Sequence, residues 1–199
     1  MEISSTFEKL YLGFITDRRK LSHRVICRVT SGRYAHAFLI FVSRSQPDAS
    51  CIVECKASNQ EDKNGNGLTL PAPLSSQSLY VARHPFSVIA AKMLLPVSPK
   101  EVALCYDMYT QARPHVRYAG AQLFANWLSF KTRLSVYRRR SNPNLWTCSE
   151  AVVRLLPLDL QSSMFDVGTY RYDEYVPSGP APSSLYRMAA HYGIAAIAL

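Results

Sequence analysis

The chain has 199 residues, of which 48% are hydrophobic and 11% aromatic, and its net charge is +9. This composition excludes a disordered protein and is sufficient for a sizeable core, so we expect a single domain spanning residues 1–199. The sequence has no apolar run of about 18 residues, and its N-terminus lacks the basic and apolar segments of a secretory signal. We therefore expect neither a membrane-spanning nor a secreted protein.

The predicted elements alternate between strands and helices, which indicates an α+β protein. Two segments have special features: residues 58–78 are polar and rich in turn-forming residues, which predicts a mobile loop, and the chain beyond Leu156 is rich in proline and tyrosine, which predicts a surface strap. In chain order we predict a strand at 10–15, a helix near 20–30, strands at 34–42, 51–57, 79–83 and 87–95, a helix capped by Ser98, a helix at 120–136, a helix that begins at Cys148 and a last helix near 183–191.

The helix that begins at Cys148 has the features of a nucleophile helix. Thr147 and Glu150 are spaced as a capping box, so Cys148 is the first helical residue. A thiolate at this position faces unpaired N–H groups and the positive end of the helix dipole, both of which lower the pKa of a cysteine. Cys148 is therefore a candidate nucleophile.

A histidine and a glutamate lie on the predicted strands that precede this helix. The run Tyr34–Val42 is apolar on both faces, which predicts a central strand, and His36 lies near its start. Glu54 lies within the apolar segment 51–57, where a carboxylate is costly unless it is paired. Cys148, His36 and Glu54 together match the nucleophile, base and orienting acid of a cysteine hydrolase. The remaining histidines, at positions 23, 84, 115 and 191, are predicted to be surface residues.

In this order of elements the chain resembles the circularly permuted branch of the papain-like NlpC superfamily, which includes the YiiX-like and lecithin:retinol acyltransferase-like thiol hydrolases. The resemblance implies a circularly permuted papain-like fold, in which an antiparallel sheet packs against helices, and a Cys148–His36–Glu54 site that forms an acyl-enzyme. The family includes viral and phage members, so the resemblance is compatible with a location in a host cell or virion. The matching segments are Leu10–Ile15, Leu21–Val29, His36, Glu54, Val116–Gly120, Cys148–Glu150 and Pro182–Tyr186.

The resemblance implies a nucleophile but leaves the acyl group open. A peptidase, amidase or isopeptidase is our first expectation, and a lipid acyl hydrolase or acyltransferase is the alternative. The backbone N–H of Cys148 is the simplest oxyanion donor, and Tyr34 and Tyr118 are candidates for a second. The mobile loop at 58–78 could close over the substrate.

The charge and the cysteines suggest a third possibility and a compartment. A non-enzymatic binding module could contact nucleic acid or an anionic surface weakly through Arg138, Arg139 and Arg140, although arginines at a helix C-terminus also suit its dipole. The five cysteines show no disulfide spacing, which favours a reducing, cytoplasmic compartment. Cys51 and Cys55 could join His23 and Cys27 at a metal only by free choice of ligands, so we predict core cysteines and no metal or cofactor.

Overall fold

The structure is a computed structural model that describes residues 6–16, 21–29, 32–56, 67–73, 88–119, 144–165 and 181–197. The predicted strand at 79–83, the predicted helix at 120–136 and the arginines at 138–140 lie outside the described residues. So do residues 58–66 and 74–78 of the predicted mobile loop.

The described strands and helices form a mixed α+β arrangement, as predicted. The strands are β1 (Lys9–Thr16), β2 (His36–Val42), β3 (Cys51–Val53), β4 (Cys55–Lys56), β5 (Gly67–Leu68), β6 (Ala72–Pro73), β7 (Val88–Leu94), β8 (Arg117–Tyr118), β9 (Leu145–Trp146) and β10 (Ala196–Ile197). The helices are α1 (Leu21–Val29), α2 (Pro99–Ala112), α3 (Cys148–Arg154), α4 (Leu158–Phe165) and α5 (Pro182–His191), with a short 3₁₀ turn at Pro47–Ala49.

Six strands pair in the order β10-β7-β1-β2-β3-β6, and every neighbouring pair is antiparallel. Two smaller pairings accompany this sheet: β4 with β5, antiparallel, and β8 with β9, parallel. The strand β2 therefore has a neighbour on each side, and six of its seven residues are buried. The prediction of a central strand is confirmed.

The main core lies between one face of the sheet and the helices. Helix α3 packs against β2, α2 contacts β1, and α5 contacts both α3 and α4. The buried side chains of this core include Leu12, Phe14, Leu39, Phe41 and Met93 from the sheet and Tyr109, Val152, Leu155 and Leu185 from the helices. A second, smaller cluster of Ile15, Phe38, Ile40 and Ile52 lies on the opposite face. Both faces of β2 are thus apolar and covered, as its sequence pattern requires.

Several predicted boundaries differ from the structure. The predicted strand at 51–57 is two strands, because the chain leaves β2 after Val53 and pairs Cys55 with Leu68 instead. Part of the predicted loop is ordered as β5 and β6, and Gly67 begins β5 with a positive φ of 132°. A Cβ at Gly67 would overlap the carbonyl oxygen of Val116, so only glycine fits this close approach.

Two further elements were not predicted. Leu158–Phe165 is helical where a surface strap was predicted, and Ala196–Ile197, beyond the last predicted helix, adds an edge strand to the main sheet. The rest of the predicted strap, residues 166–180, lies outside the described residues. Within the described ranges, none of the helices has the length and apolar character needed to cross a bilayer.

Candidate active site

Helix α3 begins as the sequence predicted, with Thr147 as N-cap and Glu150 completing a capping box. The Thr147 hydroxyl accepts the backbone N–H of Glu150 at 3.3 Å, and the Glu150 carboxylate accepts the backbone N–H of Thr147 at 3.3 Å. Arg154 then pairs with the other oxygen of Glu150 at 3.1 Å. The first turn is therefore fixed by reciprocal bonds, and it presents Cys148 at the positive end of the helix.

The Cys148 sulfur lies against the first residues of β2. The His36 ring and the backbone N–H of Ala37 are the groups that lower the pKa of this thiol. The Ser149 hydroxyl lies 3.9 Å from the sulfur. Cys148 is only 3% exposed, so these contacts replace most of its hydration.

Glu54 contacts the His36 ring from the other side. The His36 Nε2–H donates to Glu54 Oε2 at 2.8 Å, which is the contact that the sequence predicted. Since Glu54 occupies Nε2, the ring nitrogen left for the thiol is Nδ1. The ring is also stacked on Phe38, with 6.1 Å between centroids. His36 is therefore fixed in orientation by a carboxylate and an aromatic ring, and the structure brings Cys148, His36 and Glu54 together.

The protonation of His36 and Cys148 is coupled. Burial lowers the pKa of His36, but the adjacent Cys148 thiolate and Glu54 carboxylate outweigh this and raise the pKa to about 10. Burial raises the pKa of Cys148, but the His36 imidazolium and the Ala37 N–H outweigh this and leave the pKa below its ordinary value. These opposite directions favour a thiolate–imidazolium pair at neutral pH.

The pKa values of three other thiols, Cys51, Cys55 and Cys105, shift in the opposite direction. Burial raises the pKa of Cys51 and of Cys105 to about 12, and it raises the pKa of Cys55 well above its ordinary value. These three cysteines are buried and free, as the prediction of core cysteines required. Cys27 is partly exposed, and its thiol donates to the Arg33 carbonyl at 3.6 Å. Cys148 is thus distinguished from the three core cysteines by the direction in which its pKa is shifted.

The two tyrosines proposed as oxyanion donors lie in different surroundings. Burial raises the pKa of the half-buried Tyr118 phenol, and the Cys148 and Cys55 thiolates raise it further. Tyr34 packs instead between the rings of Phe14 and Tyr186, at 5.1 and 4.7 Å between centroids. Of the two tyrosines, Tyr118 is the one whose pKa is raised by the Cys148 thiolate.

Two contributors to this site were missed in the sequence. Lys56 donates to Glu54 Oε1 at 2.7 Å, and its position two residues beyond Glu54 on an extended segment was a usable signal, because residues i and i+2 share a face. The Ala37 N–H has no sequence signal, since every residue but proline carries one. Among the described residues, no group of three or more His, Cys, Asp and Glu side chains could hold a metal ion.

The structure describes the side chains of two of the four other histidines, His115 and His191. His115 and His191 are exposed, as predicted. His84 and the side chain of His23 lie outside the described residues, as do Arg138, Arg139 and Arg140.

In comparisons with known proteins, no family model matches the chain and no curated protein matches it. The chemistry of the site therefore has to be argued from its own geometry.

Proposed function

We propose that the protein is a cysteine hydrolase that cleaves an amide bond through an acyl-enzyme, with Cys148 as nucleophile, His36 as acid and base and Glu54 as orienting carboxylate. The observation that carries this proposal is the chain of contacts from Cys148 through His36 to Glu54, in which the thiol and the imidazole have pKa values shifted in opposite directions. Such a pair supplies both a nucleophile and a proton donor at neutral pH.

In the first half of the reaction, the Cys148 thiolate attacks the substrate carbonyl carbon and forms a tetrahedral oxyanion. The backbone N–H of Cys148, at the start of α3, is the first donor to this oxyanion, and the Tyr118 hydroxyl is the candidate for the second. The His36 imidazolium then protonates the leaving amine as the carbon–nitrogen bond breaks. The product is a thioester between the acyl group and the Cys148 sulfur.

In the second half, neutral His36 takes a proton from water, and the resulting hydroxide attacks the thioester. The Cys148 thiolate leaves as the acid product forms, and the imidazolium is restored. Glu54 keeps its hydrogen bond to Nε2 throughout, which holds the ring with Nδ1 toward the sulfur and stabilises each imidazolium state.

We further propose a circularly permuted papain-like fold. It is supported by an antiparallel sheet whose central strand carries the histidine and by a helix, packed on that strand, whose first residue is the cysteine. The order of these elements, with β2 and β4 before α3, is compatible with such a permutation. A lipid acyl hydrolase or acyltransferase would use the same nucleophile with a different acyl group or acceptor. The test below therefore compares both classes of substrate.

The test begins with the reactivity of the thiol and needs no substrate. In a Cys27→Ser background, the protein is treated with iodoacetamide at about pH 6, and the modified sites are located by mass spectrometry. We expect Cys148 to react more than roughly 10-fold faster than Cys51, Cys55 or Cys105, because only its pKa is lowered. His36→Ala should abolish the preference for Cys148. Equal, slow labelling of all four thiols would overturn the proposal.

The second step compares peptide amides with fatty-acyl esters and thioesters as substrates. Hydrolysis of peptide amides by the wild type, lost in Cys148→Ala and kept in Cys27→Ser, supports the amidase. Turnover of acyl esters alone would assign the site to lipid acyl chemistry. With a reactive amide substrate, kcat/KM should fall as the pH rises through about 10, because His36 then loses the proton that the leaving amine needs. If none of these substrates is cleaved by the purified wild type, the enzymatic proposal is wrong.

A further inference from the structure

Lys56 completes a chain of charged side chains that begins at Cys148. The two oxygens of Glu54 have different partners: Oε2 accepts from His36 at 2.8 Å, and Oε1 accepts from the Lys56 ammonium at 2.7 Å. Glu54 thus bridges a buried imidazole and a lysine. Neither of these contacts is to solvent, and the carboxylate is only 7% exposed.

The local backbone explains why Lys56 reaches the carboxylate. Glu54 and Lys56 are two residues apart at the point where the chain passes from β3 into β4, so their side chains lie on the same side. Lys56 pairs with Gly67 across β4 and β5, and Gly67 is held close to the Val116 carbonyl. The Lys56 side chain remains 32% exposed, so its ammonium stays partly hydrated while it neutralises a buried carboxylate.

The charges in this chain alternate in sign. Ionised Lys56, Glu54, His36 and Cys148 carry +1, −1, +1 and −1, and the cluster is neutral as a whole. Without the lysine, Glu54 would leave a net negative charge beside the thiolate. That charge would raise the pKa of the Cys148 thiol and so disfavour the thiolate. It would also raise the pKa of the His36 imidazolium, which must release its proton during the reaction.

The other titratable groups around the cluster do not supply the missing positive charge. Cys55 from β4, Tyr118 from β8 and Glu150 from α3 are neutral or negative in their accessible states. Arg154 on α3 is a cation, but it pairs with Glu150 at 3.1 Å. Within the described residues, the cations that act on Glu54 are therefore His36 and Lys56.

We propose that Lys56 is a positioning residue, which keeps Glu54 ionised and oriented on His36 and makes the Cys148–His36–Glu54 cluster electrically neutral. This role rests on the proposed function, and it makes the orienting group a glutamate–lysine pair with no net charge. Lys56 acts on the cluster through its 2.7 Å contact with Glu54.

The test measures how the alkylation rate of Cys148 depends on pH in Lys56→Met and Lys56→Arg, both in the Cys27→Ser background. In Lys56→Met we expect the midpoint for thiolate formation to rise by about one pH unit, which slows alkylation roughly 10-fold on the acid side of the midpoint. Lys56→Arg keeps the charge and should restore the midpoint. Turnover of a cleaved substrate should show a lower kcat with little change in KM.

Lys92→Met is the matched control, since Lys92 lies on β7 and its ammonium contacts the Tyr11 ring at 5.7 Å. Its profile should coincide with that of the wild type. If Lys56→Met folds poorly, Lys56→Gln is measured in its place. A Lys56→Met or Lys56→Gln profile that coincides with the wild type, or a Lys56→Arg midpoint as high as that of the Met variant, would overturn the role of Lys56. A wild-type Cys148 that shows no preferential alkylation would instead overturn the proposed function.

Discussion

Replacing Glu54 with glutamine should destabilise the protein in a pH-dependent way. His36 and Lys56 outweigh the effect of burial and lower the pKa of Glu54 from 4.5 to about 2. Because the folded pKa lies below the unfolded one, ionised Glu54 stabilises the protein above about pH 4.5, and this stabilisation is lost as the pH falls through about 2. From the difference between the two pKa values, ionised Glu54 contributes about 3 kcal/mol to the free energy of unfolding at neutral pH and roughly half of that at about pH 3.

The assay is urea unfolding of wild type and Glu54→Gln at about pH 7 and about pH 3. We expect the variant to be less stable by about 3 kcal/mol at the higher pH and by about 1.5 kcal/mol at the lower. Glu8→Gln is the control, because Glu8 meets Arg44 only at 3.8 Å on the surface, and its effect should stay within about 0.5 kcal/mol. A Glu54→Gln deficit that is equal at both pH values would refute the argument, since a lost neutral hydrogen bond does not titrate.

Two further predictions use pairs of matched positions. Gly67→Ala should lower the free energy of unfolding in urea by more than about 3 kcal/mol, because the added Cβ overlaps backbone atoms and the φ of this residue is unfavourable for alanine. Gly193→Ala should lower it by only about 1–2 kcal/mol, because its φ of 91° is unfavourable but a Cβ there lies in open space. Equal losses for the two variants would contradict the close approach at Gly67. Thr147→Ala and Ser98→Ala each remove the N-cap of a capping box and should each cost about 1 kcal/mol, but only Thr147→Ala should slow the alkylation of Cys148. An equal effect of both variants on alkylation would show that the cap acts through global stability alone.

The parts of the site that the sequence predicted depend on local signals. The capping box around Cys148 involves residues three apart, and the central strand that begins at His36 is an uninterrupted apolar run, so both could be predicted without knowledge of their neighbours in space. The partnership of Glu54 with His36 followed from the cost of a lone carboxylate in an apolar segment. The cap and the strand can each be predicted from one short segment, and the partnership from two segments that follow one another along the chain.

The parts that could not be predicted depend on partners far along the chain. The strands β8 and β9 have two residues each, and their pairing joins Tyr118 to Trp146. No periodicity can be read from two residues. The switch from β3 to β4 has the same cause, since the segment 51–57 is apolar throughout and only the position of Leu68 decides where it leaves β2. Helix α4 was missed because Leu158 and Leu160 are two residues apart and do not share one face of a helix: Leu158 is 75% exposed, whereas Leu160 is buried.

The switch from β3 to β4 leaves space beside β2 for the Cys148 thiol of α3. The pairing of β2 with β3 ends at Leu39 opposite Val53, so the strand continues toward His36 without a neighbour from β3. Thr69 binds the main chain of Glu54 instead: its N–H donates to the Glu54 carbonyl at 2.9 Å, and its hydroxyl accepts the Glu54 N–H at 3.4 Å.

With its backbone bound to Thr69, Glu54 needs no partner on β2, and the Ala37 N–H is left to the Cys148 sulfur. A fully paired β3 would satisfy the same backbone groups within the sheet and would exclude the helix terminus from this edge. Restoring the pairing would thus remove a donor to the thiolate, and the Cys148 thiol would lose part of what lowers its pKa. The interruption of the strand at Glu54 is therefore a condition for the site, because it releases one N–H for the sulfur and turns one carboxylate toward the histidine.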